Sequence, residues 1–276
     1  MSGRIISGNR SSEDLIRAYL INQGKIPRTE ADSDPAEDNN AGTTTTVPPI
    51  ITPPNIQNGS YHLDRSYIHD HTTADYRTFL RDAGYGDLDS CSHIEIAKNV
   101  LKLDSTVTEA ARRAGISVQA NGNNYVASIN QINGRKLVES MGHKLLTTQL
   151  MYGMFIPYIK DLAQNGNAEA QLTLDEMTNK AEWLEDLVKD KKKVCIGTKE
   201  KKLSLPDRDG RFDRQDIGEF GYPTSVKAAG EFHYWYPRGD EIAAIRSWFS
   251  VLGLILNGEP SVVGGGLGVR PQKIFT

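Results

Sequence analysis

Apolar residues recur at three- and four-residue intervals through much of the chain between residues 92 and 190. This spacing places apolar side chains on one face of a helix. It predicts helices over residues 92–103, 106–114, 144–164 and 173–190. Pro157 should kink or end the third. Thr173 and Glu176 have the spacing of a capping box for the fourth. Its inward-facing side chains would be Met177, Trp183, Leu184, Leu187 and Val188.

The pattern changes after Lys193. Short apolar runs separated by Gly, Pro and Asp replace the longer helical stretches, as is typical of strands. The predicted strands cover residues 194–196, 232–236, 251–256 and 267–269. Helices followed by short antiparallel strands indicate an α+β fold.

The first sixty residues differ from this body in composition. Residues 11–24 carry an apolar stripe and predict a short helix that needs a partner surface, either on its own domain or on another subunit. The following segment is acidic, then Thr-rich, then Pro-rich, which is typical of a disordered linker. The expected organisation is an anchoring helix over 1–27, a linker over 28–60, a helical connecting region over 61–119 and a C-terminal domain over 120–276.

Charge and cysteine content narrow the function classes. A formal net charge of −3 implies no global attraction to nucleic acid or to an acidic membrane. Cys91 and Cys195 are too few for a disulfide framework, which favours synthesis in a reducing cytoplasm. No signal-peptide core is expected, and no apolar run reaches the roughly 18 residues of a transmembrane helix.

Residues 106–117 resemble the first helix and turn of a helix-turn-helix motif. The motif needs a second helix that enters the major groove. Gly and Asn are frequent in residues 118–124, and both disfavour helices. A helix that ends at Gly115 and leads into a polar loop is the favoured interpretation. A DNA-binding regulator acting through residues 106–120 stays as an alternative.

Two segments contain metal-ligand residue types. His69, Asp70 and His71 follow His62 closely, and in an extended segment His69 and His71 would share one face. No third ligand has a characteristic spacing, so solvated side chains are favoured. Residues 207–213 alternate Asp with a turn Gly but lack the downstream carboxylates of a calcium loop, and calcium binding there stays open. The sequence therefore predicts no metal site and no cofactor.

Lysines concentrate between residues 189 and 202. Such a run can bind phosphates, but no aromatic residues for stacking are interleaved, so a solvated surface at a helix end is favoured. Nucleophile-elbow, phosphate-loop, Rossmann and zinc-protease motifs are missing from the chain. We therefore expect no enzymatic activity.

The segment from residue 232 to residue 275 concentrates aromatic residues, arginines and glycines. Aromatic and arginine side chains supply much of the contact energy of binding surfaces. A rigid strand framework lets the loops between strands vary at little cost to the fold. Of Trp235, Trp248 and Phe249, at least one should belong to the core, because tryptophan is usually largely buried.

This segment is similar to the end of C-type-lectin-fold domains of the formylglycine-generating-enzyme type. The resemblance lies in an aromatic strand at 234–236, in Leu-Gly-Leu-Ile-Leu-Asn-Gly-Glu-Pro-Ser at 252–261, and in Leu-Gly-Val-Arg-Pro at 267–271. Residues 142–150 resemble the family's turn into a helix, with Leu-Thr-Thr in place of its Leu-Pro-Thr/Ser. The enzymatic members rely on cysteines or cofactor residues without counterparts here. The closer likeness is to the variable proteins of diversity-generating retroelements and to phage receptor-binding proteins.

The resemblance implies a division between ligand-binding and framework positions. Such proteins expose variable residues at the positions of Tyr234, Tyr236, Arg238, Asp240, Arg246, Trp248, Phe249, Ser250, Asn257, Glu259, Ser261, Val262 and Val263. They keep the scaffold at the positions of Gly253, Leu254, Leu256, Gly268, Val269 and Arg270.

The leading hypothesis is a non-enzymatic ligand-display protein, a phage or viral receptor-binding component of a fibre or tail tip. Its C-terminal domain would bind a host surface glycan or protein. Residues 11–24 would contact other virion or appendage subunits, in a homo-oligomer made in the host cytoplasm and located in the virion. Outside a virus the protein would be cytoplasmic, and neither nucleic-acid binding nor membrane insertion is expected. The structural alternative is a virion or appendage protein whose C-terminal domain makes subunit contacts.

Overall fold

A computed structural model describes residues 59–247, 252–261 and 267–276. These residues belong to one compact unit, Pro53–Thr276. The predicted N-terminal helix and almost all of the predicted linker lie outside the described residues. The unit combines helices with strands, so the α+β prediction is confirmed. Within the described ranges, every helix is too short or too polar to cross a membrane.

Strands occur throughout the described part of the sequence. In chain order they are β1 (Ser60–Asp64), β2 (His93–Ala97), β3 (Gln119–Ala120), β4 (Val126–Ala127), β5 (Lys144–Leu145), β6 (Ala181–Lys189), β7 (Lys193–Ile196), β8 (Lys199–Lys202), β9 (Gly210–Phe212), β10 (Phe232–Trp235), β11 (Glu241–Ser247), β12 (Gly253–Gly258), β13 (Leu267–Gly268) and β14 (Pro271–Phe275).

The helices lie mostly between β1 and β6. They are α1 (Arg65–Asp70), α2 (Ala74–Asp82), α3 (Ser105–Ala114), α4 (Gln131–Ser140), a π-helix (Gln149–Phe155) that continues into α5 (Ile156–Gln164), α6 (Ala168–Asn179) and a 3₁₀ turn (Arg214–Asp216).

Two sheets organise the unit. The first has the order β1-β2-β14-β5, and the second has the order β8-β7-β6-β11-β12-β10-β9, with β13 pairing to β6. Because β14 lies between β2 and β5, the end of the chain shares a sheet with its first described strands. Buried residues of the π-helix, such as Tyr152 and Phe155, belong to the same core as Leu63 of the first sheet and Leu254 of the second.

The prediction of a helix over residues 92–103 is wrong, because residues 93–97 form β2. Ile94 and Ile96 are fully buried, whereas His93 and Glu95 point to the other face. This alternation has the two-residue period of a strand. Residues 61–119 are therefore not a purely helical connecting region, since β1 and β2 pair within it.

The prediction of one helix over residues 173–190 is also wrong. Helix α6 ends at Asn179, and β6 follows at once. The expected capping box does not form, because Asn167 caps α6 by accepting a hydrogen bond from Ala170 N. Most of β6 is buried on both faces, and three of its buried residues are acidic. Trp183, Leu184, Leu187 and Val188 therefore keep the three- and four-residue spacing of a helix within a strand.

The long apolar stretch at 144–164 begins with the short strand β5 and becomes helical at Gln149. The helix changes from π to α geometry at Ile156, directly before Pro157. Pro157 thus lies in the first turn of α5 and has no N–H to donate to the preceding π-helix. The expected disturbance at Pro157 takes the form of this change in helix type.

The helix predicted at 106–114 is confirmed by α3, which ends at Gly115 in the left-handed conformation (φ 66°). Strand β3 follows where a helix-turn-helix motif would place its recognition helix. The described residues after Gly115 therefore do not complete a DNA-reading motif. The strands predicted near 194–196, 232–236, 251–256 and 267–269 correspond to β7, β10, β12 and β13.

Candidate ligand-binding surface and its buried frame

A buried ion-pair cluster joins the centre of the second sheet to the end of the chain. Glu182 of β6 accepts hydrogen bonds from Arg246 Nη2 at 2.7 Å and from Arg270 Nη2 at 2.8 Å. Burial alone would raise the pKa of Glu182, but the two guanidinium groups outweigh it and hold the pKa at about 2. Glu182 is therefore a carboxylate at every physiological pH.

The two arginines also donate to backbone carbonyls, and Arg270 Nη2 bonds the Glu176 carboxylate at 3.0 Å. Arg246 donates to Met177 O and, at 2.7 Å, to Lys180 O at the end of α6. Arg270 donates to Ala97 O at 2.8 Å, at the end of β2. These bonds fasten α6, β2, β6 and β11 to one another. We call Glu182, Arg246 and Arg270 the buried frame.

Two positions that the resemblance placed on the ligand-binding face are buried. Arg246 is fully buried in the frame, and Tyr234 is 1% exposed. Tyr234 faces the core because side chains alternate along β10, and its hydroxyl donates to Pro206 O at 3.3 Å. Burial raises the pKa of Tyr234. The expectation that these two residues contact a ligand is therefore corrected.

The predicted scaffold positions are buried throughout. They are Gly253, Leu254, Leu256, Gly268, Val269 and Arg270. A Cβ atom at Gly268 would lie 3.3 Å from Val100 Cβ, which is closer than most contacts of this kind. The C-terminal segment thus supplies strands and frame as well as loops.

One end of the second sheet collects several exposed segments. Strands β10 and β12 are parallel, so both end at this side, and β11 begins there because it runs antiparallel to β12. The backbone N–H of Asp190 donates to Asp240 O at 2.8 Å and joins the β6–β7 turn to the start of β11. We call this surface the Tyr236 edge. It consists of residues 189–193, 207–209, 236–241 and 258–261.

Three side chains form a small polar and aromatic cluster on the Tyr236 edge. Asp209 accepts a hydrogen bond from Tyr236 N at 3.0 Å and another from Arg238 Nη2. The Arg238 guanidinium lies 5.3 Å from the centre of the Tyr236 ring. Arg238 and Asp209 have side chains 54% and 40% exposed, and Tyr236 is half-buried. The cluster therefore offers a ring face, a cation and an anion to solvent in fixed positions.

Residues 189–193 of the lysine run belong to the same edge and not to a helix end, whereas Lys199, Lys201 and Lys202 lie on β8. Asp190 and Lys191 form a turn between β6 and β7, with positive φ values of 51° and 58°. Acidic side chains neutralise part of the run, since Lys193 lies 3.2 Å from Asp190 and 3.5 Å from Glu200. Lys191 and Lys192 remain exposed. The expected helix C-terminus is replaced by a β-hairpin.

The structure brings only part of the expected ligand-binding set together. Tyr236, Arg238, Asp240, Glu259 and Ser261 lie on the Tyr236 edge and are exposed or half-buried. The remaining positions lie outside the described residues or have undescribed side chains. They are Trp248, Phe249, Ser250, Asn257, Val262 and Val263.

Strand β11 separates the two ends of the C-terminal segment. Its first residue, Glu241, pairs with Lys189 at the Tyr236 edge, and its last residue, Ser247, pairs with Gly253. At about 3.3 Å per residue, Ser247 lies roughly 20 Å from Glu241. The described residue before Trp248 is therefore at the opposite end of the sheet.

The carboxylates of residues 207–213 do not converge. Asp209 is bonded to Arg238, whereas Asp213 lies beyond β9 and pairs with Lys227 at 2.6 Å. The histidines at 69 and 71 also diverge, because His69 is near Leu88 O and His71 stacks on Tyr67. Neither segment forms the metal site that its residue types allowed.

Two further carboxyl groups on β6 are buried beside the frame. Asp186 accepts hydrogen bonds from the N–H and Oγ1 of Thr148, and Glu185 pairs with Arg135 at 3.0 Å. Burial raises the pKa of Asp186 to about 6 and that of Glu185 to about 7. Both side chains are at most 5% exposed, and each has a partner inside the protein.

Comparison with known proteins adds no family to these observations. The chain matches no protein-family model, no curated protein and no solved structure.

Proposed function

We propose that the protein is a non-catalytic ligand-display protein with a C-type-lectin-like domain that includes its C-terminal half. In this proposal it is the receptor-binding component of a phage or viral particle, and it binds a host surface glycan or protein. The observation that carries the proposal is the cluster of Tyr236, Arg238 and Asp209 at the exposed end of a sheet that the buried frame holds rigid.

The chemistry of the Tyr236 edge supports a binding role. Aromatic faces contribute contact area with few rotatable bonds to fix, and arginine contributes both charge and stacking. Lys191, Lys192, Asp240 and Glu259 extend the surface with exposed charges of both signs. A surface of mixed charge around an aromatic centre suits a polar ligand such as a glycan or a protein loop.

The topology supports the lectin-like assignment. The C-terminal strand β14 returns beside β2, and the residues that carry the resemblance occupy structural positions in between. Residues 252–261 form β12 and the turn after it, and Arg270 of the Leu-Gly-Val-Arg-Pro segment belongs to the buried frame. A separate framework and loop surface is the arrangement that a display protein needs.

The state of the acidic residues supports a non-catalytic role. Glu182, Glu185 and Asp186 are the three carboxyl groups of β6, and each has a shifted pKa and an internal cationic or hydrogen-bonding partner. Perturbed carboxyl groups often mark catalytic sites, but structural ion-pair networks perturb pKa values as well. Burial of these three side chains favours the structural explanation.

A binding assay with a matched pair of variants tests the proposal. Purified full-length protein would be applied to a glycan array and to intact candidate host cells, as the parent, as Tyr236→Ala/Arg238→Ala, and as Arg112→Ala/Arg113→Ala. The first variant should keep its circular dichroism spectrum and lose more than about tenfold in apparent affinity, because truncation of a central aromatic or arginine contact commonly has that effect. The second variant changes α3, away from the Tyr236 edge, and should bind as the parent does. Equal binding by all three proteins would overturn the site.

A further inference from the structure

We propose that His62, His93 and Glu95 bind a divalent transition-metal ion of the Zn²⁺ type, which fastens β1 to β2. His93 and Glu95 follow His62 by 31 and 33 positions in the sequence. The three residues therefore do not form a short sequence motif. The site lies on the first sheet and is independent of the Tyr236 edge.

The strand register places the three side chains on one face. Strands β1 and β2 are antiparallel, with His62 opposite Glu95 and Asp64 opposite His93. Residues two apart on a strand share a face, so His93 and Glu95 lie on the same side as His62. The intervening Ile94 points into the core and is fully buried. The outer face of this strand pair therefore concentrates two imidazoles and one carboxylate.

The distances between the potential ligand atoms are close to those of a metal site. One ligand atom from each residue lies within 4.8 Å of the others, and the two imidazole rings stack with centroids 3.9 Å apart. Ligands about 2.0–2.2 Å from a tetrahedral zinc ion are roughly 3.3–3.6 Å from one another. A metal binds in the plane of an imidazole ring, so the exposed His62 side chain has to turn out of its stack on His93 to coordinate the same ion. Two histidines and a carboxylate are a common zinc ligand set.

Neighbouring groups hold His93 in place. Its Nδ1 lies 3.0 Å from Ser92 Oγ, and its ring stacks on Phe275 with centroids 4.4 Å apart. A hydrogen bond to one ring nitrogen fixes the orientation of a histidine and leaves the other nitrogen free to coordinate a metal. That other nitrogen, Nε2, lies 3.9 Å from Glu95 Oε1. Ser92 and Phe275 thus orient the His93 ring so that its Nε2 faces Glu95.

The remaining surroundings define the electrostatics and the open side. Lys273 of β14 lies opposite Glu95, and its positive charge would repel a bound cation. Asp64 lies beside His93 on the same face and caps α1 by accepting a hydrogen bond from Tyr67 N at 3.0 Å. His62 is exposed, so water or a group from another molecule can complete the coordination. An ion at this position links the outermost strand of the sheet to its neighbour and should stabilise β1.

Isothermal titration calorimetry with ZnCl₂ on metal-stripped full-length protein tests the site. The parent should bind one ion per chain, and His62→Gln should weaken binding by at least about tenfold, since loss of even an outer partner of a ligand costs about 10- to 100-fold. His62 is exposed, so this variant is expected to keep its fold. The control, His69→Gln/His71→Gln, removes two histidines that do not converge and should bind Zn²⁺ as the parent does.

Thermal unfolding with and without ZnCl₂ gives a second readout. The midpoint of the parent and of the control should rise with Zn²⁺, because an ion that binds only the folded state stabilises it. The midpoint of His62→Gln should not respond. The proposal is overturned if the parent does not bind, if His62→Gln binds with the affinity of the parent, or if the control loses binding.

Discussion

Glu182 and Arg246 form a hydrogen-bonded ion pair of 2.7 Å between neighbouring strands, with side chains that are 1% and 0% exposed. The two residues are directly opposite in the register of β6 and β11, and β11 is the middle strand of the larger sheet. Arg270, just before the last strand, bonds the same carboxylate. A charge in this position is stable only while its partners are present.

Removal of either partner should therefore destabilise the fold strongly. We expect Arg246→Ala or Glu182→Gln to lower the free energy of unfolding by about 3–5 kcal/mol. The first variant removes one of the two cations of Glu182 and the donor to Met177 O and Lys180 O, and the second leaves two buried guanidinium groups without their shared carboxylate. Urea denaturation followed by circular dichroism measures the loss. Arg112→Ala, which breaks the exposed pair with Glu109 on α3, is the control and should change little. Similar midpoints for the Arg246 and Arg112 variants would refute the structural role of the frame.

Gly221 should tolerate no side chain. Its φ is +81°, and a Cβ atom there would overlap the backbone of Thr148 and Gln149 at the start of the π-helix. Gly84 has a similar φ of +72° with open space around it. Alanine at either position should lower the free energy of unfolding by about 1 kcal/mol, because it must adopt the left-handed backbone conformation. Gly221→Ala should lower it by about 1–3 kcal/mol more through overpacking. Thermal unfolding of the two variants separates these contributions, and equal losses would show that the contact with the π-helix is not tight.

Asp186 and Glu185 should make stability fall as the pH rises through the weakly acidic range. Burial raises their pKa from 3.8 and 4.5 to about 6 and about 7, so between these limits the folded state binds more protons than the unfolded state. Their stabilising contribution is complete below about pH 4 and is lost as the pH rises towards 7.

The comparison of the parent with Asp186→Asn isolates this effect. The asparagine oxygen can still accept the hydrogen bonds of Thr148 but does not ionise. The free energy of unfolding of the parent relative to the variant should fall by on the order of 2 kcal/mol between pH 4 and pH 7. Buried or partly buried histidines, whose pKa values are lowered, act in the opposite direction and cancel in this difference. A difference that does not change with pH would contradict the raised pKa of Asp186.

Asn130 should connect the C-terminal loop to α4. Its Oδ1 caps the helix by accepting from Asn133 N at 2.8 Å, and its Nδ2 donates to Ser261 O at 3.0 Å. Asn167→Ala removes a similar cap from α6 and serves as the matched variant. Each should lose about 1 kcal/mol for the cap. Asn130→Ala should lower the free energy of unfolding by about 1 kcal/mol more than Asn167→Ala, because it also removes the bond to Ser261. Equal losses for the two variants in chemical denaturation would show that this bond contributes nothing.

Local patterns predicted the elements whose signals are local. Helix α3 has a helical stripe and a terminal glycine, and β7, β10, β12 and β13 are short apolar runs between turn residues. Strand β6 was misassigned because its buried acidic residues leave the apolar residues at helical spacing, although both faces of the strand are buried. For β2, an alternating segment of five residues was absorbed into a longer apolar pattern.

The candidate sites were less predictable because their partners are distant in sequence. Arginine is a residue type expected on a binding surface, and the burial of Arg246 depends on its pairing with Glu182, 64 residues away. The histidine nearest in sequence to His62 is His69, whereas its structural neighbour is His93. Tyr236 and Arg238 could be selected from the sequence, but their link to Asp209 depends on the pairing of β9 with β10.

The binding affinity of Arg238→Ala for the ligand that the parent recognises tests the central claim most directly. Arg238 and Arg246 are eight positions apart, yet one is exposed on the Tyr236 edge and the other is buried in the frame. The account predicts that Arg238→Ala unfolds at the same urea concentration as the parent and binds more than about tenfold more weakly. A stable Arg238→Ala protein that binds as tightly as the parent would contradict a ligand-binding role for this surface.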